Sequence, residues 1–325
     1  MDSTDEKKVK IYMAPMEGIT DDIYRRIHYQ IYHNVDRYYT PFIATYESEK
    51  YKPRDMQGID PLNNIDIPLV PQILCNHANQ FITLATKLAN MGYQEVNLNL
   101  GCPSGTVAAK GKGSGFLGRI DQLHVFLEEI FKNTPIPISI KTRIGMETAE
   151  EFPALLKMYS EYPVKELIIH PRTRTDFYKN PPNLEAFRYA VQDSSFSLCY
   201  NGDLNTKAEI CHLLEQFPEL PAIMIGRGLV RNPSLTDIGE GNPSKEEKSL
   251  SKMKRKKFHD ELFNAYQTRL YGDKNLLFKM KELWLYMAED FTNYEKYLKA
   301  IRKSERLVSY ESAVDALFCN EQLQE

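Results

Sequence analysis

Glu95-Val96-Asn97-Leu98-Asn99-Leu100-Gly101-Cys102-Pro103-Ser104-Gly105 reads as a short strand that runs straight into a glycine, a cysteine and a proline. Glycine and proline end an extended run, so the polar residues at its C-terminal end are handed to a loop. Seven further short, apolar, β-branched runs lie around it, at 9–14, 39–45, 69–74, 136–141, 166–170, 197–201 and 222–226, which with 95–99 makes eight expected strands. Longer stretches with helical spacing fall between them, at 22–32, 80–91, 122–131, 150–159 and 207–217. Strand alternating with helix eight times predicts a parallel sheet, and eight repeats close it into a (β/α)8 TIM barrel. An open doubly wound α/β sheet is the alternative.

The 325 residues suit a barrel of about 250 residues with a smaller appendage. After the eighth strand, Gly239-Glu240-Gly241-Asn242-Pro243-Ser244 reads as a linker, which places a domain boundary between residues 240 and 241. From residue 251 onward the strand signal is gone. Leu262, Tyr266 and Leu270, then Leu277, Met280, Leu283, Trp284 and Met287, then Leu298, Ile301 and Leu307 recur at helical spacing. They predict an all-α bundle of three or four helices over 241–325, with these residues as its core and none in a direct functional role.

The net charge of -3 hides an asymmetry. Residues 1–247 hold 26 Lys and Arg against 32 Asp and Glu, whereas 248–310 hold 15 against 8, and 311–325 hold four acids and no base. A basic block on a separate helical domain suits a polyanion, because neutralising phosphates releases counterions; a solvated lysine-rich surface is the plain alternative. No apolar run approaches the ~20 residues that span a bilayer, and residues 1–8 are charged without the apolar stretch of a secretory signal. A cytoplasmic protein with no membrane partner is expected. Five widely spaced cysteines without a Cys-x-x-Cys pair predict neither a disulfide framework nor a metal site.

Barrel enzymes build their sites from the loops at the C-terminal ends of the strands, and nearly every strand here ends in a polar or glycine-rich signature. They are A-P-M-E-G-I-T-D from Ala14, P-Q-I-L-C-N from Pro71, N-L-N-L-G-C-P-S-G from Asn97 and I-K-T-R-I-G from Ile140. Then follow I-I-H-P-R-T-R from Ile168, Y-N-G-D-L from Tyr200 and I-M-I-G-R-G-L-V-R-N-P from Ile223. One cavity would thus hold a cysteine, a lysine, a histidine, several arginines and two glycine turns, which suits an anionic cofactor. Gly226-Arg227-Gly228 after the last strand can meet a phosphate. Lys141 offers a fixed charge or half of a structural ion pair, and His170 alone reads as a satisfied buried histidine. Cys102 heads a glycine-rich stretch, 101–118, expected to be a mobile loop, and is a candidate acid or nucleophile. Cys75, Cys199, Cys211 and Cys319 are expected to be small buried hydrophobes.

These seven signatures, in this order, resemble those of the tRNA-dihydrouridine synthases over about residues 11–233, with N-x-N-x-G-C-P the most specific. The resemblance implies an FMN-binding barrel followed by a helical domain that grips RNA, expected to be tRNA, with ribosomal RNA as the alternative. It implies an oxidoreductase in which NADPH or NADH reduces FMN, the flavin passes hydride to C6 of a uracil, and Cys102 protonates C5. Matching positions imply that Ala14, Pro15 and Met16 lie under the flavin ring and that Gln72 and Lys141 bond its polar edge. His170, Asn201, Gly202, Asp203, Gly226 and Arg227 would follow the ribityl chain and phosphate, and Asn99, Arg143 and Arg172 would meet the uridine. Its base must be extruded to reach a flavin in a barrel. Two departures bear on the RNA contacts: the lysine usual near Gly105 is absent, the nearest bases being Lys110 and Lys112, and Ser234-Leu235 replaces a bulky aromatic. A flavin barrel acting on a small molecule and a non-catalytic RNA-binding protein are the competing readings.

Overall fold

A computed structural model describes residues 9–48, 50–237 and 244–324 of the chain. The expected domain boundary between 240 and 241 and the charged N-terminus 1–8 lie outside the described residues. Ten strand segments form one parallel sheet: β1 Lys10–Met13, β2 Arg37–Tyr39, β3 Ile43–Ala44, β4 Leu69–Val70, β5 Gln72–Leu74, β6 Val96–Leu100, β7 Ile138–Arg143, β8 Leu167–His170, β9 Leu198–Tyr200 and β10 Ala222–Ile225. Their order is β3-β5-β6-β7-β8-β9-β10-β1-β2-β4. The two ends of this row are the same pair of strands. β2 and β3 are one run broken around Pro41, β4 and β5 are one run broken at Pro71, and β2 pairs with β4 as β3 pairs with β5. The sheet therefore closes on itself as eight strands, each of the eight expected runs supplying one.

Proline explains both breaks, since it has no N–H to give to a ladder. Around Pro71 the main chain is rescued by a side chain: the Gln72 N–H donates to Thr40 Oγ1 at 2.9 Å. Helices follow the strands around the outside: α1 Asp22–Tyr32, α2 Pro53–Gly58, α3 Ala78–Asn90, α4 Gly105–Ala108, α5 Ile120–Asn133, α6 Phe152–Tyr159, α7 Leu184–Asp193, α8 Lys207–Gln216 and α9 Arg227–Arg231. Their starts are encoded locally. Asp21 accepts from the Tyr24 N–H at the head of α1, and Thr206 with Glu209 forms a capping box on α8.

Side chains alternate across a strand, and the residues turned into the barrel stack in layers. Tyr12, Tyr39, Val70, Ile168, Cys199, Ala222 and Met224 form an apolar cluster there. On the side of β5, β6 and β7 the lumen is polar, and its hydrogen bonds run in one direction. Ser139 Oγ donates to Glu95 Oε1 (2.6 Å) and accepts from Asn97 Nδ2 (2.9 Å); Asn97 Oδ1 accepts from Gln72 Nε2 (2.8 Å); Gln72 Oε1 accepts from Asn99 Nδ2 (2.7 Å). Glu95 is itself anchored by Lys165 and Arg37. Cys75 and Cys199 are buried as expected, whereas Cys211 on α8 and Cys319 on the last helix, Leu307–Asn320, are exposed. Both were expected to pack, but each sits one position beyond its helix's apolar stripe, facing solvent.

Among the described residues four helices follow the barrel: α10 Lys245–Arg269, α11 Asp273–Met287, α12 Glu295–Lys303 and α13 Leu307–Asn320. They enclose Trp284, whose Nε1–H donates to Tyr310 Oη at 2.8 Å. None is long and apolar enough to cross a membrane. The bundle docks on the barrel through α10 against α1, where Phe258 meets Tyr24 and Tyr32 edge-on at 5.4 Å. Beside this contact Arg255, 1% exposed, lies 2.6 Å from Asp290 Oδ2 and donates to Arg231 O and Asn232 Oδ1 after β10. Burial pushes the Asp290 carboxyl up to about 6, and Arg255 opposes the shift.

Two outcomes are expected in urea unfolding. Arg255→Met should cost roughly 3–5 kcal/mol, because it strands a buried carboxylate, and the double variant Arg255→Met with Asp290→Leu should recover part of the loss; a single variant as stable as wild type would contradict this. Ser139→Ala should cost roughly 1–3 kcal/mol by leaving a lumen acceptor and donor unpaired, and a neutral effect would show that the chain does not stiffen the barrel.

Candidate active site

At the C-terminal end of the barrel two chambers meet. The first, about 340 Å³, is lined by Ala14, Pro15 and Met16 after β1, Lys141 on β7, His170 on β8, Asn201, Gly202 and Asp203 after β9, and Gly226 and Arg227 after β10. The second, about 240 Å³, is lined by Gln72, Asn99, Cys102 and Arg143. Pro15, Met16, Lys141, His170, Tyr178 and Tyr286 border both. Of the site residues expected from sequence, all but Arg172 line one chamber or the other.

Arg172 lies behind the wall, 1% exposed. Its Nη1 donates to Asp203 Oδ1 at 2.9 Å and lies 2.9 Å from His170 Nε2, Nη2 also bonds Asp203, and Nε bonds Asn180 O. A guanidinium beside Nε2 needs a lone pair there, so the imidazole is neutral with its proton on Nδ1; burial and the nearby cations Arg143 and Lys141 hold its pKa well below the usual range. Asp203, in the left-handed region at φ 36°, also accepts from Arg227 Nη2 at 2.8 Å. Its carboxylate is thus spent on orienting two arginines, which hold its pKa down against partial burial. Arg227 keeps its remaining donors at the chamber wall. Gly228 is required by packing, since a Cβ there would lie 2.1 Å from Leu204 O.

Lys141 has no hydrogen-bond or ion-pair partner among the described residues, although it faces the chambers from a closed barrel. Burial, with Arg143 adding repulsion, lowers its pKa to about 8. A lysine held this way is satisfied by an electron-rich or anionic group from outside the chain, so the residues present fit a flavin.

The lumen chain ends on the cysteine. Because a carboxylate at Glu95 can only accept, every amide above it is turned one way, and Asn99 Oδ1 is left to accept from the N–H groups of Gly101 (3.1 Å) and Cys102 (3.0 Å). Cys102 O accepts from Ser114 N and Oγ. Burial pushes the thiol pKa up, against hydrogen bonding at Ser104 and the charge of Arg143. The thiol therefore stays protonated at neutral pH, which suits a proton donor better than a thiolate nucleophile. Arg143, 1% exposed, donates to Gly101 O, Thr173 O and Phe177 O, and so ties the cysteine loop to the loop after β8.

The glycine-rich stretch 101–118 is folded rather than the loose loop expected. It contains α4 and a 3₁₀ turn at Gly113–Phe116, whose residues are buried. Its glycines serve close packing: a Cβ on Gly115 would meet Ala108 O at 2.4 Å. Lys112 is turned inward to Thr45 O.

Two tyrosines escaped the sequence reading. Tyr178 sits on the loop after β8 with Arg143 and Arg227 5.3 and 5.2 Å from its ring centre; an aromatic pair, Phe177-Tyr178, in an otherwise polar loop was the only signal. Tyr286 comes from α11, where its helical spacing made it indistinguishable from bundle core.

Comparison with known proteins places the chain in a family. The model of the family described as dihydrouridine synthase matches residues 12–320. A "probable tRNA-dihydrouridine synthase" of Staphylococcus aureus is 30% identical over 262 residues, 78% of this chain and 77% of that protein. One of Staphylococcus epidermidis is 27% identical over 316 residues, 94% of each. Among solved structures, a 2-naphthoyl-CoA reductase complex aligns with TM-score 0.52 and 12% identity over 70% of this chain and 49% of that one. A morphinone reductase variant in complex with tetrahydroNAD aligns with TM-score 0.50 and 11% identity over 70% and 85%; both bear on the fold alone. With a family model spanning barrel and bundle together, the chain belongs to the dihydrouridine synthase family of oxidoreductases.

Proposed function

We propose that this enzyme reduces uridine in tRNA to 5,6-dihydrouridine, with FMN in the first chamber, NADPH or NADH as reductant, and the extruded base in the second. The observation that carries the reading is the meeting of Lys141 and Cys102 at one boundary: an unpaired cation for the cofactor beside a protonated thiol for the substrate. When bound, the flavin supplies the hydride. Ala14, Pro15 and Met16 form the wall for its ring, Lys141 approaches its polar edge, and Arg227, oriented by Asp203, serves its phosphate with Gly226. Gln72, expected at that edge, lines the second chamber with both amide atoms engaged by Asn97 and Asn99, and so supports the site from the lumen. His170, Asn201 and Gly202 line the path between. Arg172 acts through Asp203 and His170 as a positioning residue.

In the second chamber Asn99 and Arg143 fix the loop that carries Cys102, and the thiol gives its proton to C5 of the uracil. The excess of base over acid in 248–310 supports an RNA partner, and residues 241–325 are proposed to bind it. This basic surface is also what a small-molecule reductase has no use for. A tRNA substrate fits work in the cytoplasm.

Two measurements test this. Lys141 unliganded keeps its proton only below about pH 8, and an electron-rich ring favours the charged form, so FMN binding takes up a proton above that pH. FMN affinity, followed by flavin fluorescence, should therefore fall as pH rises past 8, and Lys141→Met should bind weakly without that limb; a protein that cannot take up FMN would end the reading.

Cys102→Ala should separate the two half-reactions in single-turnover experiments. Flavin reduction by the nicotinamide should persist, while flavin reoxidation by tRNA should slow by about 10²- to 10⁴-fold, as for loss of a general acid. Cys102→Ser should be nearly as slow. Reoxidation of the Cys102→Ala enzyme at the wild-type rate would remove the thiol from the mechanism.

A further inference from the structure

A third cavity, about 550 Å³, lies between the loop after β1, the segment after β3 and the bundle helix α11. It adjoins the Cys102 chamber, with which it shares Glu17 and Pro41, and the chemistry proposed above makes no use of it. Its α11 wall is Asn275, Phe278, Lys279 and Glu282, the i, i+3, i+4 and i+7 positions of one helix face. The next residue of that stripe, Tyr286, borders both catalytic chambers. From Phe278 to Tyr286 the helix rises about 12 Å, so one helix face runs from the third cavity to the reacting centre.

The walls describe the ligand. Phe278 is 72% exposed although Leu276, Leu277, Met280, Leu283 and Trp284 of the same helix are buried. Its ring contributes nothing to the bundle core and offers an open aromatic face. The cations of the cavity are already engaged: Arg269 with Asp22 at 2.7 Å, Lys279 with Asp21 at 3.0 Å, Arg54 with Glu17 and Asp55, and the buried Arg25 with Thr20 O, Gly58 O and Asn64 Oδ1. Little positive field is left for a phosphate. Glu282 has no ion pair within 4 Å among the described residues, and it stands one helical turn from Phe278. A flat ring with N–H donors on its edge satisfies both, stacking on the aromatic and donating to the carboxylate.

We propose that this cavity binds an unpaired nucleobase bearing an amino group, a strand neighbour of the uridine being reduced, stacked on Phe278 with its donor edge toward Glu282. The proposal rests on the RNA reading of the adjoining site. It makes the bundle a reader of sequence context beside the target as well as a basic support.

The test uses the full-length enzyme and a tRNA transcript whose reduced uridine has first been mapped. 2-Aminopurine, which fluoresces and is quenched by stacking, is placed 5′ or 3′ of that uridine. One of the two positions should be quenched on binding to wild type. Phe278→Ala should abolish the quenching and weaken binding of the transcript by about tenfold, the scale of one aromatic stack, and Phe278→Tyr should restore both. An abasic nucleotide at the same position should bring wild type down to the affinity of Phe278→Ala. If wild type forms dihydrouridine yet neither Phe278→Ala nor the abasic change alters binding, the cavity is no base site and the function above stands. If wild type forms no dihydrouridine in any RNA, the function falls and this proposal with it.

Discussion

A single file of buried hydrogen bonds, climbing the barrel lumen from Glu95 through Ser139, Asn97 and Gln72 to Asn99, fixes the direction of everything above it. A carboxylate accepts and cannot donate, so each amide above Glu95 has one allowed orientation. The last of them holds the Cys102 backbone. In a buried lumen, an amide turned the wrong way would leave two polar groups unpaired, at about 1–3 kcal/mol each. The position of the thiol is thereby set from the floor of the barrel. Ion pairs at that floor, Lys165 and Arg37 on Glu95, carry no chemistry, but they hold the anchor in place.

The rest of the site is held by arginines that look catalytic and act as struts. Arg143 and Arg172 spend their donors on backbone carbonyls and on Asp203. Burying a guanidinium is tolerable only when it is fully engaged, and full engagement leaves nothing to move. The cost falls on the loops, which are pulled into one arrangement around the chambers. Lys141 is the exception: among the described residues it has no hydrogen-bond or ion-pair partner, and burial with the repulsion of Arg143 lowers its pKa to about 8.

The bundle belongs to the site through α11. Asp21, which caps α1, also accepts from Tyr266 Oη on α10 at 2.7 Å, and Lys279 donates to Gly18 O. The loop after β1 is therefore gripped from the bundle side while its other end shapes the wall of the first chamber. Removing the bundle would loosen that loop as well as any RNA contact, because Tyr286 is part of both chambers.

What the sequence by itself determined was the local and periodic part: eight strands at the expected runs, the α1 helix at 22–32, a helical bundle after them, and fourteen of fifteen expected site residues at the chamber walls. These follow from nearest-neighbour chemistry, because side-chain period selects strand or helix and a parallel barrel brings every strand end to one rim. Tertiary structure alone decided the rest. Arg172 differs from Arg143 by nothing visible in its neighbours, yet it faces Asp203 behind the wall. Tyr286 reads as bundle core until α11 is docked. The glycines of 101–118 suggest freedom in the chain and serve contact in the fold, since the atoms they must clear, such as Ala108 O against Gly115, are placed by the packing of that stretch as a whole. Which way a polar side chain turns depends on partners brought together from distant parts of the chain, and no local pattern records them.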